Sequence, residues 1–315
     1  MTSGVTVNTA NNPASTLTIE RQQWLGLAFG ALGVLIFSFS LPATRAAAPE
    51  LGGYTVGLGR AIVAAILAII LLVVRRERFP GRQYLPNLAI VSLGVIVGFP
   101  VLTSLALQRV NASHGAIIIG IVPAVTAIMA VLRGGERPPL PFWISCALGV
   151  VAILLFAFSE GQGQLQFEDM LLLAAVVLVA LGYAEGGKLA RELGGWRVIC
   201  WALVISLPFL IIPVLSSVAG RDFSAVSSTA WLGFAYVAVF SMFLGFFAWY
   251  AGLGLGGIAR VGQVQLLQPI LTLVWSTGLL HEAIKPLTII AAMLVLVSVA
   301  LTQWVTRQYA KRKLR

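Results

Sequence analysis

Pro123-Ala-Val-Thr-Ala-Ile-Met-Ala-Val-Leu-Arg-Gly-Gly-Glu136 returns 146 residues later as Pro269-Ile-Leu-Thr-Leu-Val-Trp-Ser-Thr-Gly-Leu-Leu-His-Glu282. In both stretches Glu follows Pro by 13 positions, and Thr126 coincides with Thr272. A further proline, Pro138 or Pro286, comes next, and then a last apolar run. Upstream, Ser104-Leu-Ala-Leu and Trp249-Tyr-Ala-Gly stand at nearly the same spacing from the two prolines. The set reads as one unit present twice in the chain.

The surrounding composition says what kind of unit it is. Of 315 residues 59% are apolar, and the 21 Lys+Arg and 11 Asp+Glu make only 10% charged, against roughly 25% in a soluble protein. Such a chain cannot cover its own core with polar surface. A soluble domain, a disordered chain and a disulfide scaffold are excluded. Uncharged runs place helical spans at 22–44, 83–108, 110–132, 138–159, 198–220, 229–253, 261–280 and 286–306, and 54–74 is a span whose one internal charge is Arg60. The run 170–184 becomes a further span only by extending past Glu185. The expectation is an all-α polytopic membrane protein of ten transmembrane helices, since about 20 apolar residues cross a ~30 Å hydrocarbon core. The runs are continuous rather than alternating, which excludes a membrane β-barrel.

Each unit then has five helices. Five is odd, so the second copy enters the membrane from the opposite face. The fold expected is two inverted repeats around a central cavity, at 24–159 and 168–306. A disordered cytoplasmic tail (1–23) and a basic cytoplasmic tail (307–315) flank them. The polar start lacks the basic-then-apolar pattern of a signal peptide. With the N-terminus inside, 16 Lys+Arg fall in cytoplasmic segments. Four fall outside (Arg45, Arg109, Arg221, Lys285), and Arg60 lies within the second helix. That asymmetry places both termini in the cytoplasm. The net charge of +10 is therefore a topology signal rather than a nucleic-acid patch. Cys146 and Cys200 lie in apolar runs without metal-ligand spacing and are expected as free thiols.

The run Ser104-Leu-Ala-Leu-Gln-Arg-Val-Asn-Ala-Ser-His-Gly-Ala, with Pro123 and Gly135-Glu136-Arg137-Pro138 after it, resembles the EamA pattern of the drug/metabolite transporter superfamily. Leu244-Gly-Phe-Phe-Ala-Trp-Tyr-Ala251 and Pro269 through Glu282 are similar to its second copy, so the resemblance covers residues 24–306. It implies ten helices in inverted repeats and transport of small organic metabolites, commonly amino-acid export. Within the superfamily the chain looks closest to the bacterial aromatic amino-acid exporters called YddG. One departure is His281 before Glu282, where the family usually has Gly; it puts the form of that turn in question.

For chemistry the chain offers no G-x-S-x-G, H-E-x-x-H or Walker A motif, and neither cofactor nor metal is expected. Ionisable residues inside a membrane default to functional candidates. Arg60 reads either as a carboxylate anchor or gate, or as a structural, snorkelling arginine. Glu185 and Lys188 share a face of helix six and suggest an ion pair at the cytoplasmic mouth, with no acid at mid-membrane. Glu136 and Glu282 fall at helix ends, where they would hold loops and termini. Gln265, Gln268, Thr272 and Ser276 form a polar stripe within about 80° on helix nine. Pro269 interrupts it and frees a backbone carbonyl. The stripe suits a cavity wall that reads amino and carboxyl groups, or interhelical glue.

Ser241, Gly245 and Trp249 on helix eight, with Gly182 and Tyr183 on helix six, suggest an apolar slot or tight packing. The remaining candidate lining is Phe37 and Ser40, Phe99, Pro100 and Thr103, Ser113, His114 and Pro123, and Phe246. The leading expectation is a carrier for small amphipathic metabolites, most of all aromatic or other large neutral amino acids, working by alternating access. Its partners are that substrate and the bilayer, not nucleic acid, and its oligomeric state is left open. The alternatives are a carrier for other metabolites or drugs and a membrane-embedded enzyme such as a lipid transferase; the enzyme would need a His, Asp or Glu cluster at one membrane face. A receptor would need an output domain.

Overall fold

The computed structural model describes residues 13–134, 140–160 and 165–313. Among them every regular element is helical. In chain order these are α1 (Arg21–Leu51), α2 (Gly53–Val74), α3 (Arg82–Ala106), α4 (Ala112–Leu132), α5 (Leu140–Glu160), α6 (Phe167–Leu193), α7 (Gly195–Val218), α8 (Ser228–Gly256), α9 (Val264–Leu280) and α10 (Pro286–Lys313). Among the described residues, α1 to α4 and α6 to α8 are long and apolar enough to cross a membrane, seven helices by length and composition. The chain is a polytopic helical membrane protein. The short apolar run 170–184 does extend past Glu185, as part of the 27-residue α6.

Links between helices are short where glycine permits it. Gly52 joins α1 to α2 at φ +89, and Gly194 joins α6 to α7 at φ +85. Side chains rarely adopt that conformation, and glycine does so without steric cost. The two joints occupy the same place in the two copies.

Two glycine seams set how the bundle packs. Gly26 and Gly30 on α1 face Gly252 and Gly256 on α8. A Cβ on Gly26 would stand 2.5 Å from the Gly256 nitrogen, and one on Gly252 2.7 Å from the Gly30 nitrogen. On the other side Gly94 of α3 faces α6, where a Cβ would lie 2.3 Å from the Leu178 carbonyl oxygen. Lipid tails are as apolar as leucine, so helices in a membrane associate through such close backbone contact. The remaining pairings include α2 with α7, α4 with α9 and α5 with α10.

The helices that meet in the middle are irregular. α3 loosens into π-helical turns over Ser92–Gly98 and α8 over Val237–Leu244, positions that match under the 146-residue offset to within one residue. α4 breaks at Gly120 and Ile121, just before Pro123. A 3₁₀ turn, Gly262–Leu266, runs into α9 just before Pro269. α1 is interrupted at Phe39, because Pro42 removes the N–H that would bond the Ser38 carbonyl four residues back. Thr272 Oγ1 of α9 donates to that carbonyl at 2.7 Å, and Trp275 Nε1 donates to Ser38 Oγ at 3.0 Å. Helical irregularities of this kind collect where a protein works.

Candidate central site

α1, α2, α3, α6, α8 and α9 enclose a cavity of about 30 Å³. Its wall is built of four aromatic rings (Phe37, Phe99, Tyr183 and Phe246), one cation (Arg60) and three small polar groups (Ser40, Ser241 and Gln268), completed by Leu41, Val95, Pro100 and Met242. A second cavity, about 10 Å³, shares Leu41 and Gln268 with the first and is walled by Pro123, Gln265, Pro269 and Thr272. A single water needs ~10–15 Å³ of such space, so the two cavities together have room for only a few waters.

Phe37, Tyr183 and Phe246 form one ring cluster with Trp249. Phe37 and Phe246 stand 4.8 Å apart, Tyr183 and Phe246 6.2 Å, and Tyr183 and Trp249 5.3 Å. These separations are typical of favourable edge and offset contacts. The Ser40 hydroxyl donates to Ser241 at 2.7 Å and bridges α1 to α8. Trp249 is 1% exposed, and its indole nitrogen has no hydrogen-bond partner. It is therefore part of the inner cluster rather than of an interfacial belt.

Arg60 decides the electrostatics. It is 3% exposed, and its Nε has no hydrogen-bond partner. Among the described residues none forms an ion pair with it. A snorkelling arginine would reach water along its stem; this one ends in the cavity wall. A buried charge without a counter-charge costs several kcal/mol even after relaxation. Gln268 lines the same space, and Gln265 lines the smaller cavity beside it. Gln265 Nε2 lies 3.5 Å from Gln268 Oε1, and Gln265 Oε1 is buried without a partner. The Tyr183 hydroxyl faces the Gln265 side chain outside hydrogen-bond geometry at that oxygen.

The other residues singled out in the sequence lie elsewhere. Thr103 is buried but turns its hydroxyl onto its own helix, donating to the Phe99 and Pro100 carbonyls. His114 is not in the cavity: its Nε2 pairs at 2.6 Å with the buried Asp169 at the start of α6. Thr272 borders the smaller cavity, but its hydroxyl is committed to Ser38. Glu185 is 1% exposed and accepts a hydrogen bond from Asn87 of α3. It sits eight residues, about 12 Å, inside the end of α6. Glu136 lies outside the described residues. Cys200 is a buried free thiol.

Glu282 closes one end of the bundle. Its two oxygens accept from the Ala112 and Ser113 amides at 2.9 and 3.0 Å, clamping the first turn of α4. A carboxylate is favoured at a helix N-terminus. His281 before it adopts φ +53, ψ 30, so the turn keeps its left-handed form without a glycine. On the same end Arg45 donates to the Leu107 and Gln108 carbonyls, Arg221 to that of Leu51, and Arg109 pairs with Glu168. At the other end Arg197 holds Glu77 through two hydrogen bonds, 2.7 and 3.0 Å. Those bonds, with the charges of Arg197 and Arg75, keep the Glu77 carboxyl below its ordinary pKa.

Leu41, Val95 and Met242 were missed from sequence because ordinary apolar residues carry no chemical signal. Asp169 was missed because its partner is 55 positions away.

The profile of the EamA-like transporter family matches the chain twice, over residues 24–158 and 166–304. The uncharacterized transporter YdeK of Bacillus subtilis (strain 168) is 45% identical over 282 residues, 90% of this chain and 96% of that protein. A probable terminal-alkyne amino-acid exporter of Streptantibioticus cattleyicolor is 24% identical over 271 residues, 86% of this chain and 90% of its own length. One solved crystal structure superposes with a TM-score of 0.60 at 15% identity, covering 92% of this chain and 99% of that one. It shares the fold. Twice-matched over nearly its whole length, the chain belongs to the EamA-like transporter family of the drug/metabolite transporter superfamily.

Proposed function

We propose that this protein exports α-amino acids with large apolar or aromatic side chains across a bacterial inner membrane. The carrying observation is Arg60: a buried cation with no counter-charge, in the wall of a cavity otherwise made of aromatic rings. Such a site is completed by an anion that brings an apolar body with it. A carboxylate at Arg60 takes charge-assisted hydrogen bonds. The amide oxygens of Gln265 and Gln268 accept from an ammonium group, and Phe37, Phe99, Tyr183 and Phe246 surround the side chain. The distant relative named as an amino-acid exporter supports this substrate class.

The mechanism is alternating access across ten transmembrane helices arranged as two inverted five-helix repeats, with both termini cytoplasmic and no chemical turnover. Its support is the double family match, the paired π-helical turns and prolines, and pairings such as α1 with α8 and α3 with α6 that exchange copies. The clamps at the two ends of the bundle are the gates: Glu282 and Arg45 at one, Arg197 with Glu77 at the other. Proteoliposomes preloaded with unlabelled amino acids test the reading by counterflow of labelled phenylalanine. Phenylalanine, tryptophan and leucine should compete, and solute recovered from the lumen should be unchanged. Competition by amines and sugars but not by carboxylates would sink the proposal, and chemical conversion of the solute would favour an enzyme.

A further inference from the structure

A second, larger space lies outside the central site. Between α1, α2, α7 and α8 a lateral groove of about 610 Å³ shares no wall residue with the central cavity. Its length is apolar, with Phe29, Leu32, Leu244 and Phe247 along it. Leu32 is 49% exposed, so the groove opens to the side, where acyl chains run. Its end is basic: Arg75 and Arg197 stand there, Arg75 being the first residue beyond α2.

That end is a built anion position at the height of a lipid headgroup. Arg197 is fixed on three sides, by Glu77, by the Leu193 carbonyl at 3.2 Å and by the Trp196 ring, whose centroid lies 4.9 Å from its Cζ. Trp and Tyr prefer this interfacial level. Glu77 does not neutralise the region, because the segment 75–82 carries Arg75, Arg76, Arg78 and Arg82 against that single acid. Arg75 is exposed, and among the described residues it has no ion-pair partner.

We propose that this groove binds an anionic glycerophospholipid, with its phosphate between Arg75 and Arg197 and an acyl chain along Phe29, Leu32 and Leu244. A soluble anion would use the arginines and leave the apolar length without a role. A zwitterionic lipid would use the length but leave the excess positive charge uncompensated. Basic pockets between transmembrane helices recognise anionic headgroups for this reason.

Native mass spectrometry and thermal unfolding of the purified full chain in detergent test it. The probes are dioleoyl phosphatidylglycerol, dioleoyl phosphatidylcholine and soluble sn-glycerol 3-phosphate. Phosphatidylglycerol should stay bound and raise the melting temperature, phosphatidylcholine should do so several-fold more weakly, and glycerol phosphate should do neither. Arg75→Gln should weaken phosphatidylglycerol binding about tenfold, the loss of one charge-assisted contact, and Leu244→Trp should block the groove. Arg191→Gln, an exposed arginine at the end of α6, should bind as the unaltered protein does. Equal binding of the two lipids, undiminished binding by Arg75→Gln, or an equal response to glycerol phosphate would overturn the assignment.

Discussion

Replacing Arg60 separates a site residue from a structural one, because the two roles predict opposite signs for stability. Arg60 is 3% exposed, and its Nε has no partner. A structural arginine contributes through its partners, and its loss leaves them unsatisfied. An arginine kept for a ligand destabilises the ligand-free fold, and an apolar residue of similar length relieves that cost. Arg60→Met should therefore raise the melting temperature in detergent by several degrees, at roughly 2–4 °C for each kcal/mol. Transport should move the other way. A hydrogen bond to a charged group is worth about 1.5–3 kcal/mol, so the apparent affinity for a free amino acid should fall about 10- to 150-fold. The assay is competition against labelled phenylalanine in proteoliposomes, using phenylalanine and its neutral carboxamide as competitors. The unaltered protein should prefer the acid by a similar factor, and Arg60→Met should treat the two alike. A variant that melts lower, or that still prefers the acid, would refute the reasoning.

Four further outcomes are expected. Gln268→Ala, which removes a side chain common to both central cavities, should weaken apparent affinity about tenfold at normal expression; unaltered transport would make the stripe on α9 mere packing. Cysteines placed near positions 162 and 227 should label from outside and ones near position 83 and the C-terminus only from inside; a C-terminus labelled from outside would reverse the orientation. Uptake into liposomes should follow the substrate gradient without a proton gradient; accumulation driven by an imposed pH step and abolished in Glu185→Gln would contradict this. His281→Gly should leave the melting temperature equal or slightly higher, because φ +53 suits glycine, whereas His281→Val should lower the stability by about 1–2 kcal/mol and the melting temperature with it; equal melting of both variants would deny that the turn is strained.

What the sequence made legible was whatever depends on local composition. Spans follow from uncharged runs, and the Pro-to-Glu spacing announces the duplication before any coordinate is seen. Most of the cavity wall was legible too, because Gln268, Ser40, Ser241 and Tyr183 are polar groups in apolar helices and need a reason to be there. The orientation of Arg60 was not legible: snorkelling and inward burial have the same sequence, and only the helices around it choose between them. Thr103 misled because a hydroxyl in a helix can satisfy itself on the preceding turn. His114 misled because its acid comes from α6, beyond the reach of any spacing rule. The π-helical turns in α3 and α8 carry no local signature at all.

The glycine seams bear on which parts of the molecule can move. Gly26 and Gly30 of α1 meet Gly252 and Gly256 of α8 main chain to main chain, with the Val261 side chain packed on Gly30 and Gly256, and Gly94 of α3 is seated on the main chain of α6. Neither pair can separate without emptying a backbone-deep contact, nor rotate without driving main chain into main chain. Each seam joins a helix from the first copy to a helix from the second. The duplicated halves are therefore not separately packed bodies. Under the alternating access proposed above, each moving block would be a hybrid of both copies, and a hinge sought at the junction near residue 165 would be sought in the wrong place.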